Sequence, residues 1–292
     1  VISHEYVIDN TTISRYLAAI MFKGISRMMR ICLLLLMCLH LGNPSIGFAQ
    51  DVTVKIGQKD SLYSAILDER RSLVVSLPDN YEDGTENYPV LYLLDGTTNN
   101  LLDARLVTFN LKMDMIIVAL ANTDRDRDMM PLSRPSYTVE NPKAENFLRF
   151  FEKELIPHID KKYRTKNERT IRGRSLSGLF VMYAFLKEPT LFTNYIGNCA
   201  GWFADMDDYF TQLAEDAFQQ KSNFSGKSIF VANSLSDPLD PKQEIHHAVL
   251  KFSKLLKSEV GELVKFKYQT YENAGHVPYA SFYDGMKFMH EH

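Results

Sequence analysis

Between positions 50 and 292 the chain alternates short apolar runs with longer stretches of helical periodicity. The runs at 52–56, 73–77, 90–94, 115–120, 169–172, 195–198, 229–232 and 264–271 are mostly apolar, and most close on turn residues, which predicts eight strands. Between the later runs, 144–161, 178–187, 207–220 and 242–257 read as helices, the first placing Phe147, Phe150, Phe151, Leu155 and Ile159 on one face. Strand, helix, strand in succession implies an α/β class: a mostly parallel central sheet of about eight strands with helices on both faces. Reactive groups in such a sheet collect beyond the carboxyl ends of the strands. The loops after Leu94, Arg172, Ala232 and Tyr271 are therefore where chemistry is expected.

The first 49 residues follow a different pattern. Lys23, Arg27 and Arg30 precede the apolar run 31–41, and Gly47-Phe48-Ala49 supplies small residues where a signal peptidase cuts. A run of this length falls short of the roughly 20 residues that span a bilayer, which favours a cleaved secretory signal over a membrane anchor. Met28 or Met29 is a natural start. The expectation is an N-terminal extension and signal over 1–49, a catalytic domain over 50–292, and a periplasmic or secreted product with no membrane contact after cleavage. Of three cysteines, Cys32 and Cys38 fall in the signal, so Cys199 is left without a disulfide partner and is expected to be buried.

Composition narrows the function classes. With 45% hydrophobic residues in 292, the chain can bury one sizeable core. A net charge of −3, spread along the whole length, provides no polycation for phosphate neutralisation, so nucleic acid is not an expected partner. There is no His or Cys pair at zinc spacing, no calcium-loop pattern, no phosphate-cradling glycine loop and no dinucleotide fingerprint. The expected chemistry needs no metal and no cofactor, and nothing in the sequence addresses oligomeric state.

The segment Arg172-Gly173-Arg174-Ser175-Leu176-Ser177-Gly178 runs from a strand through a tight turn into a helix with a serine at its tip. That is the pattern of a nucleophile elbow. Small residues at 173 and 177 permit the sharp turn, and Gly178 lets the helix pack close. The Ser175 hydroxyl would sit at a helix N-terminus, beside the Leu176 N–H, where a developing oxyanion is favoured.

A serine needs a base, and among eight histidines His276 stands apart, in the loop Asn273-Ala274-Gly275-His276-Val277-Pro278 after the last strand. An acid after the penultimate strand should orient the imidazole. Asp237 is preferred there because it comes first after the strand, with Asp240 second and Glu244 a distant third, although either aspartate suits a helix cap equally. The loop Leu94-Asp95-Gly96-Thr97-Thr98 offers the Thr97 N–H as a second oxyanion donor.

With these residues in place the chain resembles the esterase family of α/β-hydrolases that includes enterochelin esterases, siderophore hydrolases, esterase D, feruloyl esterases and mycolyl transferases. The likeness is carried by the blocks at 88–96, 122–128, 154–160, the elbow, 275–278 and 283–285. The resemblance implies the α/β-hydrolase fold and an ester hydrolase acting on a small-molecule ester. It assigns Ser175 as nucleophile, His276 as base, Asp237 less securely as acid, and Thr97 with Leu176 as oxyanion pair. It also suggests that Trp202, Asp124 and Arg125 border the substrate pocket.

The sequence departs from relatives at two positions, which usually carry histidine before the serine and glycine two after it, whereas here they are Arg174 and Ser177. The arginine suggests lowered activity or an anionic substrate, and the extra hydroxymethyl is expected to crowd the elbow. Two other functions share this scaffold: a catalytically decayed binding protein, and an acyltransferase whose acceptor alcohol outcompetes water.

Overall fold

The computed structural model describes residues 27–29, 31–32, 54–134, 137–201 and 203–291. The chain divides into two units, Val1–Val54 and Lys55–His292. In the first, the described residues at 27–29 and 31–32 are helical and exposed; most of the expected signal lies outside the described residues. Among those described, no helix is long and apolar enough to cross a membrane.

The second unit is built on eight strands: β1 (Gln58–Ser64), β2 (Glu69–Ser76), β3 (Tyr88–Leu93), β4 (Ile116–Leu120), β5 (Thr165–Arg174), β6 (Asn194–Asn198), β7 (Lys227–Ser234) and β8 (Val264–Tyr271). They form one sheet in the order β1-β2-β4-β3-β5-β6-β7-β8. The β1–β2 and β2–β4 pairs are antiparallel and every other pair is parallel. This is the mostly parallel sheet expected, with the first strand displaced: 54–56 form no strand and the edge strand begins at Gln58.

Strand alternation divides the apolar residues between two layers. Val90, Tyr92, Ile116 and Val118 face the larger core with α3 (Ala144–Phe150), α5 (Leu176–Lys187), α6 (Asp207–Ala217) and α7 (Glu244–Val260). Leu91, Leu93, Ile117 and Ala119 face the smaller one with α1 (Thr98–Asn110) and α8 (Ala280–His290). The remaining α-helical pieces of this unit are the short α2 (Arg125–Met129) and α4 (Ile156–Lys162); a π-helical turn, Phe151–Leu155, joins α3 to α4, and 3-10 turns at Ala204–Met206 and Phe218–Phe224 flank α6. The expected helix over 144–161 is thus one continuous element with a wide turn in its middle.

One cluster of buried charge packs against the larger layer. The Arg71 guanidinium, fully enclosed, lies over the Phe147 ring at 5.1 Å and pairs with Asp128 at 2.5 Å and Glu69 at 2.6 Å. Arg127 closes the square, with Asp128 at 2.6 Å and Glu69 at 2.9 Å. Burial works to raise the Glu69 carboxyl, but the two guanidinium groups outweigh it and hold Glu69 below its ordinary range. A depressed carboxyl contributes stability above its unfolded value, about pH 4.3, and that contribution is lost as pH falls through the folded value. Removing Asp128 leaves two guanidinium groups, one of them fully buried, to share the single carboxylate of Glu69, so Asp128→Ala should lower unfolding free energy by about 3 kcal/mol. A urea titration at neutral pH checks this.

Candidate active site

β5 and β3 are neighbours, yet β3 leads on to β4 on one side while the chain after β5 proceeds to β6 on the other. The sheet's order reverses between them, which opens a crevice at their carboxyl ends. The sequence places Asp95 just beyond β3 and Ser175 just beyond β5.

Ser175 sits at φ 55°, ψ −125°, a conformation that only glycine adopts freely. Holding it there costs roughly 1–3 kcal/mol, which the surroundings must supply. The Ser175 N–H donates to the Asn198 carbonyl at 2.9 Å, and its own carbonyl accepts from Leu179 at 3.0 Å and Gly201 at 3.1 Å. The small residues of the motif are required by contact: a Cβ at Gly173 would lie 2.1 Å from the Ser177 carbonyl oxygen, and one at Gly178 would lie 2.7 Å from that of Asn198. Leu176 opens α5, so its N–H has no preceding helical carbonyl and points out at the helix N-terminus.

Ser177 does not crowd the turn. Its hydroxyl is fully buried and accepts from the Arg174 N–H at 2.7 Å, and its single proton lies between Asp95 Oδ2 at 2.7 Å and the Arg174 carbonyl at 2.8 Å. The charged carboxylate is the stronger acceptor. The expectation of steric strain at this position is therefore corrected: the hydroxymethyl fits because each of its polar contacts is met.

His276 and the acids fall into distinct places. His276 Nδ1 lies 2.6 Å from Asp237 Oδ2, and Asp237 Oδ1 accepts from the Leu239 N–H at 2.8 Å. Asp237 is 4% exposed, so the pair is shielded from water on the carboxylate side. Asp240 takes the capping role instead, its two oxygens accepting from Glu244 N at 2.8 Å and Ile245 N at 3.0 Å at the start of α7. Burial pushes its carboxyl up. The two loops are tied by the Ala274 N–H, which donates to Ser236 Oγ at 3.1 Å. Ser175 and His276 line one cavity of about 270 Å³, with Gly201, Ala204, Leu239 and Ile245 among its walls.

Three expected site residues are placed differently. Thr97 caps α1 through its side chain, and its N–H is turned onto the Asp95 carbonyl at 2.7 Å in a three-residue turn, so it is engaged rather than open. Asp124 does not line the cavity, because its carboxylate caps α2 by accepting from Arg127 N at 3.1 Å. Arg125 does not line it either: its guanidinium grips Asp95 through Nε at 2.7 Å and Nη2 at 3.0 Å. Trp202 lies outside the described residues.

Two residues escaped the sequence reading. Asp95, 7% exposed, joins blocks that the sequence shows only as separate motifs, accepting from Asn122 Nδ2 at 2.7 Å as well as from Arg125 and Ser177. Burial works to raise its carboxyl, but these donors outweigh it, Arg125 foremost, and hold it below the ordinary range. Gly201 was missed because a lone glycine after a strand reads as an ordinary turn. Its ideal Cβ would stand 3.1 Å from Ser175 Oγ and 3.3 Å from the Leu176 nitrogen. Cys199, 1% exposed, is buried as expected, and burial pushes its thiol up to about 12. Among the described residues, no three His, Cys, Asp or Glu side chains converge as metal ligands would.

An eight-stranded, mostly parallel sheet with helices on both faces and a serine turn at its order reversal defines an α/β-hydrolase fold. The family model described as "Putative esterase" matches residues 64–249, and the chain belongs to that family. Ferri-bacillibactin esterase BesA of Bacillus subtilis (strain 168) is 32% identical over 133 residues, which make up 37% of this chain. The match spans about half of that curated relative, 46% of its length. Among solved structures, an IroE-like serine hydrolase from Shewanella oneidensis is 30% identical with a TM-score of 0.69, over 79% of each chain. The siderophore hydrolase EstB from Aspergillus nidulans shares the fold, with a TM-score of 0.64 and 17% identity over 82% of this chain and 96% of that one.

The Gly201 contact yields a test. In Gly201→Ala the added methyl presses on the Ser175 hydroxyl; with Ser175 as the nucleophile the sequence leads one to expect, a displacement of a fraction of an ångström should slow fluorophosphonate labelling about ten-fold. Labelling at the parental rate would show that this wall does not constrain the serine.

Proposed function

We propose that the protein is an exported serine carboxyl-ester hydrolase that works through an acyl-enzyme, with Ser175 as nucleophile, His276 as general base and Asp237 as the acid that orients it. One observation carries the reading: a serine held in an elbow and a histidine already paired with a buried carboxylate border the same cavity, delivered there from the ends of β5, β7 and β8. With Asp237 accepting from Nδ1–H, the Nε2 nitrogen is left as the base. Ser175 Oγ attacks the ester carbonyl as its proton passes to His276, and the developing oxyanion is met by the Leu176 N–H. The Thr97 N–H serves as second donor once it leaves its bent bond to Asp95. Collapse of the intermediate expels the alcohol, which takes the proton from His276. Water then enters and attacks the acyl carbonyl as His276 takes its proton; collapse breaks the bond to Ser175, whose oxygen recovers the proton from His276 as the acid is released.

The named activities of the relatives favour siderophore esters as the substrate class, ahead of hydroxycinnamoyl, acetyl-sugar and simple esters. The basic residues before the apolar run at 31–41 support export to the periplasm or medium. Sequencing the N-terminus of protein recovered outside the cytoplasm tests that part, and an unprocessed chain retained in the cytoplasm would refute it.

Turnover of short-chain nitrophenyl esters and of a siderophore-ester panel tests the chemistry. Ser175→Ala should lose about 10⁴-fold or more in kcat, and Asp237→Asn about 10²–10⁴-fold, because the imidazole loses its tautomer. Asp240→Asn separates the two carboxylates: it should cost about 1 kcal/mol of stability as a lost helix cap, and far less activity than Asp237→Asn. A Ser175→Ala variant as active as its parent would end the proposal.

A further inference from the structure

β5 outlasts its neighbour. The β3–β5 ladder ends at Leu93 opposite Arg172, and the final bond on that side runs from the Leu94 N–H to the Arg172 carbonyl at 3.0 Å. On the other side β5 stays paired with β6 through Arg174 opposite Asn198. Alternate residues of a strand direct their backbone polar groups to opposite neighbours. Ser175 donates toward β6, while Arg174, in phase with Arg172, directs its N–H and C=O toward the side where β3 has ended. Those two groups belong to the residue that carries the chain into the strained turn at Ser175, and no strand is there to receive them.

Side chains stand in for that strand. The Arg174 N–H donates to Ser177 Oγ at 2.7 Å, and the Arg174 carbonyl accepts from Arg125 Nη2 at 3.2 Å. Asp95 fixes both substitutes, taking the Ser177 hydroxyl on Oδ2 and the Arg125 guanidinium on both oxygens. The same aspartate belongs to the loop that carries Thr97, so one carboxylate sets the spacing between the elbow and that loop.

We infer that Ser177 is a positioning residue for the nucleophile, acting with Asp95 and Arg125 to hold the Arg174 peptide groups and so the direction of the Ser175 hydroxyl. The inference rests on the reading of Ser175 as nucleophile. In Ser177→Ala the Arg174 N–H is left with no partner, and the turn gains freedom beside the reacting atom without any change in the cavity wall. Such a change acts on the reacting geometry and spares ground-state binding.

Steady-state kinetics and fluorophosphonate labelling of the full chain, at a temperature where each variant is folded, decide the matter. For Ser177→Ala, kcat and the labelling rate should fall together by about ten-fold, with KM changed by less than about two-fold. Asp95→Asn combined with Ser177→Ala should cost less than the product of the two single effects, since both act on one network. If Ser177→Ala does not fold, Arg125→Lys tests the same grip from its more exposed side: the loss of the Nη2 donor to the Arg174 carbonyl should lower kcat several-fold at constant KM. Parental kcat and labelling rate in Ser177→Ala, or in Arg125→Lys where that variant decides, overturn the inference while leaving an inactive Ser175→Ala and the esterase reading intact. An active Ser175→Ala would instead remove the reading beneath it.

Discussion

The mismatch in length between β3 and β5 is the constraint on which the site depends. Because β3 stops at Leu93 while β5 continues to Arg174, the sheet has a notch at the point where its order reverses. The elbow is built on the lip of that notch, where one flank of β5 is still laddered to β6 and the other is free of backbone. Had the two strands ended together, the turn would be buried under the next loop and the serine closed off. Had β5 ended with β3, nothing on the β6 side would hold Ser175 in a conformation that its Cβ disfavours.

The sequence showed the frame of this arrangement because strands and helices of the interior obey simple periods. β8 coincides with the run 264–271, and the apolar cores of β3 to β7 coincide with the runs read as strands. The edge was less legible. β1 is a polar strand, Gln58–Ser64, exposed along one side as edge strands are, and its pattern resembled a loop while the apolar 52–56 segment ahead of it resembled a strand. The strand read as 73–77 begins earlier, at Glu69; nothing local reveals that Arg71 is paired inside the core. α1 was missed since Leu102, Leu106 and Phe109 face outward and blur its apolar stripe.

At the site, the elbow motif, the loop after the last strand and the order of serine, acid and histidine point to Ser175 and His276 in the sequence, with Asp237 preferred to Asp240. Each sits in a local motif whose form follows from the turn it occupies. The choice between Asp237 and Asp240 was a matter of three residues, and the geometry divides the labour between them: one faces an imidazole, the other a helix start. What sequence order does not carry is contact across 27 to 82 residues. The meeting of Asp95 with Asn122, Arg125 and Ser177 depends on β4, β3 and β5 lying side by side in the sheet, and Arg125 reads as a substrate contact in the sequence because its partner lies in another motif.

The wide turn at Phe151–Leu155 bears on the far edge of the sheet. Phe147, Phe151, Leu155 and Ile159 recur every fourth residue and are all fully enclosed. At about 100° per residue, a regular α-helix would let such a row drift by about 40° at each step, carrying Ile159 well off the line begun at Phe147. A turn that takes in an additional residue rewinds that drift, so the row stays straight against the sheet. The same rewinding turns Glu154 outward, where its carboxylate receives the Ala65 N–H at 2.9 Å and the Ile66 N–H at 3.2 Å at the tip of the β1–β2 hairpin. Helix phase and hairpin anchorage thus share a single residue of slack: shortening this segment by one position would both skew the apolar row and unmoor the polar border strand.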